Sequence, residues 1–453
     1  MGVSEVRPGA TGAGVVRSSI RMPQWSSTST HHRAVALGAA GALCAVLLRR
    51  ADLLVLATPL LVVATWAWLS RPRAVPILAT RVSHDTLGEG EAGVWDSAIT
   101  MPPGAEDAIL ALAPVLFVSH DPPDGATAVA VEEEAPEGPL HARVAYRSTR
   151  WGVRTVGPAR CSVTSSWSAY RTGPVPVGEL TLTTLPTPAA FDPVAPVPHP
   201  EGLVGMHRSS RLGTGSEFSS IRAFHAGDRL RRIHWPVSLR TGSLHVSSTY
   251  ADEDAEVVLL VDAFSDLGPR EGVDGRPTSL DVTVRAAGAM AEHYLRIGDR
   301  VSMRVAGAEG VPRLRTGSGS AHLRRVLGTL ALIRPATERR DDGRHATAGL
   351  RGGSLVIILS PLIDPSMVGI VCAVAARGMT TVVVDTMPDH LWESGSQQPT
   401  ALAWRIRKLL REHEVRQLRR TGVPVVAWRG PASMDQVLRD VSRRAAAPRM
   451  VRR

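Results

Sequence analysis

Two apolar runs near the start of the chain, residues 34–48 and 53–69, are fifteen and seventeen residues long and are parted only by Arg49, Arg50, Ala51 and Asp52. Surface of that kind must be covered by protein or by lipid, and either run alone falls short of the roughly 20 residues that cross a bilayer. With arginines able to snorkel from the ends and Trp66 and Trp68 near the second exit, the pair reads as a transmembrane helical hairpin over residues 34–70. A cleaved signal peptide would show a small-x-small site after residue 48, and a second apolar run stands there instead. Arg21, Arg33, Arg71, Arg73 and Arg81 flank the pair outside, against Arg49 and Arg50 in the turn. Both ends and the soluble domains are therefore expected in the cytoplasm, on a two-helix protein of the cell membrane. Residues 1–33 are rich in Ser, Thr, Gly and Arg without an apolar period and read as a disordered tail.

The rest of the 453 residues changes character twice. Over residues 80–200 short alternating runs such as 128–132 and 141–146 are broken by Pro and Gly, the pattern of a small all-β, sandwich-like region. Gly88, Gly90 and Gly93 there match a dinucleotide-binding spacing, but Glu89 and Glu91 would face the pyrophosphate and Pro102-Pro103 stand where a helix should run. A strand-connecting turn is expected. From 251 to 446 continuous apolar strands (257–261, 354–359) alternate with helical periods (280–297, 322–333, 366–376, 402–420 and one from Met434), which predicts an α/β domain with a mainly parallel sheet. Ligands of such sheets bind beyond the carboxyl ends of the strands, so the loops after Val261, Leu359 and Val384 are the places to search.

Composition removes several chemistries. Of 52 basic residues only Lys408 is a lysine, in a context that suits neither a P-loop, a kinase strand nor a Schiff base. No Gly-x-Ser-x-Gly elbow or His-Glu-x-x-His helix supports a hydrolase. Cys44, Cys161 and Cys372 are too scattered for a disulfide framework or a metal knuckle. Residues 404–453 hold fourteen basic residues against four acidic ones, so the whole net charge of +10 resides there, ending in a basic tail at 447–453. Such an end can meet nucleic acid, anionic lipid or an acidic protein face. With 4% aromatic residues and no recognisable module, nucleic acid is not the expected partner, though an arginine-rich nucleic-acid-binding membrane protein remains the alternative and an uncharacterised hydrolase the second.

Within residues 201–250 the run from Gly215 to Val246 is the most unusual stretch. Asp228 is expected to cap a short helix that Pro236 ends, with Leu230 and Ile233 on one side and Arg229, Arg232 and Trp235 elsewhere. Arg222, Phe224, Gly227, Asp228, Arg231, Ile233, Trp235, Arg240 and Gly242 together resemble the hallmark of the bacterial "domain of unknown function 58" proteins. The resemblance implies a membrane hairpin, a β region, this signature and a von Willebrand factor A-like domain. It also implies company with a MoxR-type AAA+ ATPase, in which this chain would act as a non-enzymatic, membrane-tethered scaffold or adaptor working through protein–protein contact and membrane lipid. Arg222, Asp228, Arg231 and Arg240 either pair across the domain junction or belong, with Arg232 and Trp235, to a docking surface.

A von Willebrand A domain often holds a divalent metal on an Asp-x-Ser-x-Ser loop with a Thr and an Asp from later loops. The counterpart here is Asp262, Ser265 and Asp266, with Phe264 and Asp266 where serines are expected, and Thr316, Ser318 or Ser320 as loose candidates for the threonine. The expectation is a degenerate site and no cofactor. His225, His234 and His245 have no zinc spacing.

Overall fold

The computed structural model describes residues 16–131, 138–187, 212–225, 228, 230–250, 256–335, 347–350, 354–392 and 398–430. They divide into two compact units, the first running to Leu185 and taking in Glu271–Asp274, the second made of the remainder. The first fifteen residues of the expected tail, residues 188–211, Gly227, the helix expected from Met434 and the basic end at 447–453 lie outside the described residues.

The first unit opens with β1 (Val16–Arg21) and β2 (Ser26–Ser27). Helix α1 (Ser29–Leu47) starts where Thr28 is extended and its hydroxyl accepts the His31 amide; α2 (Asp52–Leu69) follows after a turn in which Arg49 adopts a φ of 51°. Gly38 lies against Leu61 and Gly41 against Ala57, so the two helices run antiparallel along each other. A Cβ on Gly38 would meet the Leu61 side chain at 2.8 Å, which explains why this position carries none. The residues buried on these helices are small, namely Gly38 and Ala45 on α1 and Ala57, Ala64 and Ala67 on α2. The large ones, Leu37, Leu43, Val46, Val55, Leu56, Val62 and Leu69, are exposed. Among the described residues only Asp52–Leu69 is long and apolar enough to cross a membrane. Helix α1 begins with Ser, Thr, His, His and Arg and is diluted by Ala and Gly, which is why its composition falls short of that mark.

Eleven more strands follow: β3 (Ile77–Val82), β4 (Thr86–Gly88), β5 (Ala92–Thr100), β6 (Ala105–Ala111), β7 (Val118–Asp121), β8 (Ala126–Ala130), β9 (Leu140–Ser148), β10 (Gly152–Val156), β11 (Ala159–Ser165), β12 (Tyr170–Val177) and β13 (Leu180–Leu185). They form sheets in the orders β1-β3-β5-β9-β7, β10-β13-β4 and β2-β12-β11-β6-β8. Alternating burial along β3 and β5 sends Leu78, Trp95 and Ile99 inward, where they meet Leu110, Tyr146, Val163 and Leu182 in one core. The Gly88–Gly93 run is a strand connection, with Gly90 at a φ of 83° and the Glu91 carboxylate accepting the Gly88 amide at 2.6 Å.

Residues 16–33 are not a tail. Strand β1 pairs antiparallel with β3 from Val16↔Val82 to Arg21↔Ile77, and β2 pairs with β12. A polar sequence without apolar period can still form an edge strand, because the ladder is made by backbone groups, and here Met22 and Trp25 fasten it by burial in the core. Trp25 also donates its indole N–H to the Ala74 carbonyl at 2.8 Å. Trp25→Ala should therefore lower stability by about 3–5 kcal/mol, as a buried aromatic truncation does. Thermal or denaturant melting of the full chain checks this, and an unchanged melt would return the segment to a dispensable extension.

In the second unit β14 (Leu212–Ala223) and β15 (His245–Tyr250) form a two-stranded antiparallel sheet around α3 (Trp235–Thr241). The remaining elements alternate: β16 (Glu256–Asp262), α4 (Ser279–Arg296), β17 (Arg300–Ala306), β18 (Leu314–Gly317), α5 (Gly319–Ala331), β19 (Leu355–Ser360), α6 (Pro365–Ala376), β20 (Thr380–Asp385), α7 (Gln398–Arg420) and β21 (Val425–Ala427). Their sheet has the order β18-β17-β16-β19-β20-β21, parallel throughout except for β18. Strands β16 and β19 are buried along almost their whole length, as a sheet covered on both faces requires. Helix α4 starts at a capping box between Thr278 and Asp281, both buried. Strand β18 leaves no mark in the residue pattern, because Leu314-Arg-Thr-Gly is short, polar and supported on one side only.

Candidate functional site

Counting from β16, the chain first adds strands on one side (β17, β18) and then crosses to the other (β19, β20, β21). The point of reversal lies between the carboxyl ends of β16 and β19, where open α/β sheets form their crevice. Asp262 ends β16 and Ser360 ends β19. The Ser360 hydroxyl donates to Asp262 Oδ2 at 2.5 Å, and the Phe264 amide donates to Asp262 Oδ1 at 3.0 Å. Ser360 in turn accepts the Leu362 amide at 2.8 Å, which fixes the direction of its proton. Leu362 adopts a φ of 52° while fully buried, an uncommon conformation for a branched side chain that its surroundings must enforce. Phe264 is approached so closely from below that a Cβ on Gly307, at a φ of 80°, would meet its amide nitrogen at 2.5 Å.

Burial dominates the electrostatics. It pushes the Asp262 carboxyl up to about 6, against the pull of the Ser360 and Phe264 hydrogen bonds, and nearby Asp364 adds to the rise. Asp385 at the end of β20 is also raised by burial, opposed by Arg411, which pairs with its Oδ1. Arg411 Nε donates to the Pro361 carbonyl at 2.8 Å; Arg407, one turn earlier on α7, donates to the Ile363 carbonyl and pairs with Glu414 at 3.2 Å. Two arginines of α7 thus hold the loop that begins at Ser360, and Asp364 closes it by capping α6 at the Ser366 amide.

The expected metal trio does not assemble as a ligand set. Asp262 is committed to Ser360 and Phe264, Asp266 pairs with Arg270 at 3.0 Å, and Phe264 offers no oxygen donor where a serine would stand beside Ser265. Thr316 donates to Glu256 at 2.5 Å, at the amino end of β16 and so at the other end of the strand from Asp262. Among the described residues no three His, Cys, Asp or Glu side chains are grouped to hold a metal ion. The donor chemistry fits a divalent cation poorly.

In the signature, Asp228 does not cap a helix. Its carboxylate takes both guanidinium nitrogens of Arg222, at 2.8 and 2.6 Å, and the His225 amide at 2.9 Å. The Arg222 guanidinium holds the Asp228 carboxyl below the usual carboxylate range. A bidentate fork outcompetes a cap here because the intervening chain turns back on itself, with the Asp228 amide donating to the His225 carbonyl at 3.0 Å. Pro236 starts a helix instead of ending one. The expected helix shrinks to a single turn at Leu230–Arg232, and α3 begins at Trp235 with Pro236 in its first turn, where a missing N–H costs nothing. The His234 ring accepts the Val237 amide as its cap. Gly242 ends α3 in the left-handed region at a φ of 69°. Phe224 donates its amide to the Leu244 carbonyl, and Ile233 bridges to Val246. Arg231 and Arg240 are exposed and Arg232 is half-buried. Trp235 is 58% exposed and Leu239, one turn on, 80%. The rings of His225 and His245 are turned toward local backbone carbonyls, and no zinc grouping arises.

Ser360, Leu362, Asp385, Arg407 and Arg411 were not singled out by sequence. The strand ends after Leu359 and Val384 pointed to the right loops, but their partners on α7 are some 25 to 50 residues away and carry no local signal.

These features define a doubly wound α/β unit with a locked acidic strand end, joined in sequence to a compact signature of two strands and one helix. Residues 220–400, which span both, match the family described as "Protein of unknown function DUF58". Uncharacterized proteins of Mycobacterium tuberculosis and Mycobacterium bovis are 27% identical over 190 residues, 42% of this chain and 53% of theirs. The chain thus matches about half the length of these curated relatives.

Two outcomes are expected. Folded Asp262 binds its proton at about 6, whereas an unfolded carboxyl does so near 4. Its contribution to stability is therefore full below about pH 4 and is lost as pH rises through 6, by at most about 3 kcal/mol. Asp262→Asn, which cannot ionise, should flatten the stability profile between pH 4 and 7; a slope unchanged from the wild type would place its source elsewhere. Mg²⁺ should leave the melting temperature unmoved, whereas a hundredfold excess over the Kd of a real site would add about 2.7 kcal/mol. A shift that vanishes in Asp262→Ala would restore the metal site.

Proposed function

We propose that this chain is a membrane-tethered, non-enzymatic scaffold whose α/β unit is of the von Willebrand A type and docks a cytoplasmic AAA+ ATPase of the MoxR type or its client. The carrying observation is the division of labour in the signature. Arg222 and Asp228 close their own loop, while Trp235 and Leu239 stand out from α3 one turn apart. Large exposed apolar side chains beside arginine are the composition of interface anchors. The sheet order 3-2-1-4-5-6 with an antiparallel third strand supports the von Willebrand A reading, which comes with the family resemblance. The tether is supported by α1 and α2, whose small residues face each other while leucines and valines face out, the arrangement of helices packed in lipid. In this reading both helices cross, and the arginine excess of the outer flanks keeps both ends in the cytoplasm.

Two measurements test it. The full chain should stay in membranes through an alkaline wash, and cysteines placed beyond residue 80 should resist an impermeant label on intact cells; labelling from outside would overturn the orientation. Trp235→Ala should leave melting nearly unchanged yet reduce co-purification of an ATPase from native membranes, with a loss of about 2 kcal/mol or more. Undiminished capture by the folded variant would end the docking reading.

A further inference from the structure

Where α2 leaves its apolar stretch, the first unit has a cavity of about 900 Å³ that the proposed scaffold role does not use. Its walls come from two distant stretches of chain. Arg21 and Trp25 follow from β1, and Trp68, Leu69, Arg71 and Arg73 lead from α2 toward β3. The pairing of Arg21 with Ile77 and the hydrogen bond from Met22 N to the Pro76 carbonyl, 3.0 Å, bring these stretches together.

We infer that this cavity seats the phosphate headgroup of an anionic phospholipid. The inference rests on the membrane reading of α2. The lining is divided by chemistry: Trp68 and Leu69, both exposed, form the end of the apolar helix, and three guanidinium-bearing side chains stand just beyond it. That is the order in which acyl chain and phosphate are met on leaving a bilayer, with tryptophan at the boundary. Among the described residues none of those lining the cavity is acidic, so no carboxylate there neutralises Arg21, Arg71 and Arg73. Three positive charges favour a headgroup with net negative charge and disfavour phosphatidylcholine, whose ammonium would face them. Guanidinium forks also match phosphate oxygens in geometry. The walls are fixed in advance: Trp25 is buried and bonded to the Ala74 carbonyl, and the Arg71 guanidinium rests 5.2 Å over the Tyr170 ring.

The test titrates the detergent-solubilised full chain with phosphatidylglycerol or phosphatidylcholine and counts bound lipids by native mass spectrometry. The wild type should prefer phosphatidylglycerol. Each arginine replaced should weaken that preference about fivefold, and Arg21→Gln, Arg71→Gln and Arg73→Gln together about a hundredfold. Arg160→Gln, on β11 outside the cavity, should leave it unchanged. If the triple variant melts early, Arg73→Gln alone, exposed at the rim, carries the test through its fivefold loss. Equal binding of the two lipids by the wild type, or a preference that survives in the triple variant, overturns the inference. So does displacement of phosphatidylglycerol by millimolar glycerol phosphate, which would reassign the site to a soluble phosphate ester. Equal binding of the two lipids by a wild-type chain that still sediments with membranes refutes the site but leaves the tether standing; failure of the wild type to sediment refutes both.

Discussion

The hydrogen bond from Ser360 to Asp262 joins the ends of the two central strands, and the organisation of the α/β unit follows from it. A carboxylate buried at that depth is tolerated only when donors meet it. The Ser360 hydroxyl donates to it and also accepts the Leu362 amide, which orients the hydroxyl, with Leu362 held in a left-handed conformation. With Leu362 so placed, the carbonyls of Pro361 and Ile363 turn toward α7, where Arg411 and Arg407 receive them. Arg411 also offsets the buried charge of Asp385 one strand further on. One buried acid thereby joins a chain of contacts through β16, β19, β20 and α7 at the carboxyl edge of the sheet.

The two units answer the problem of apolar surface in opposite ways. In the sheet, Val258, Leu260, Val356 and Ile358 face inward and are covered by helices. In α1 and α2 the alanines and glycines face inward, and the bulky side chains are left outside. In water the second arrangement would leave the larger side chains uncompensated, and the proposed tether rests on that contrast.

Much of this was legible from residue order. Continuous apolar strands and 3.6-residue periods placed β16, β19, β20 and α4 to α7 within a few residues, because fully buried parallel strands leave a strong compositional mark. What escaped was what depends on tertiary partners. Strand β1 is polar and owes its place to the exposed ladder of β3; β18 is four residues supported by one neighbour. Asp228 and Pro236 have strong local preferences, for a cap and for a helix break, and each was redirected: Asp228 by the reach of Arg222 and Pro236 by the start of a new helix beside it. The signature positions were found by their pattern, but their roles were set by a fork and a turn that no spacing rule encodes.

Strand β1 precedes α1, with β2 between them, and strand β3 follows α2; β1 and β3 are neighbours in register over six residue pairs. The stretches that lead into α1 and out of α2 are thus fastened to one sheet, at the strand spacing of about 4.8 Å where β1 and β3 pair. A pull that separates α1 from α2 must strip that ladder, and a pull along both helices loads Trp25 and the sheet together. In mechanical terms the helix pair is sewn to the β unit at both of its ends.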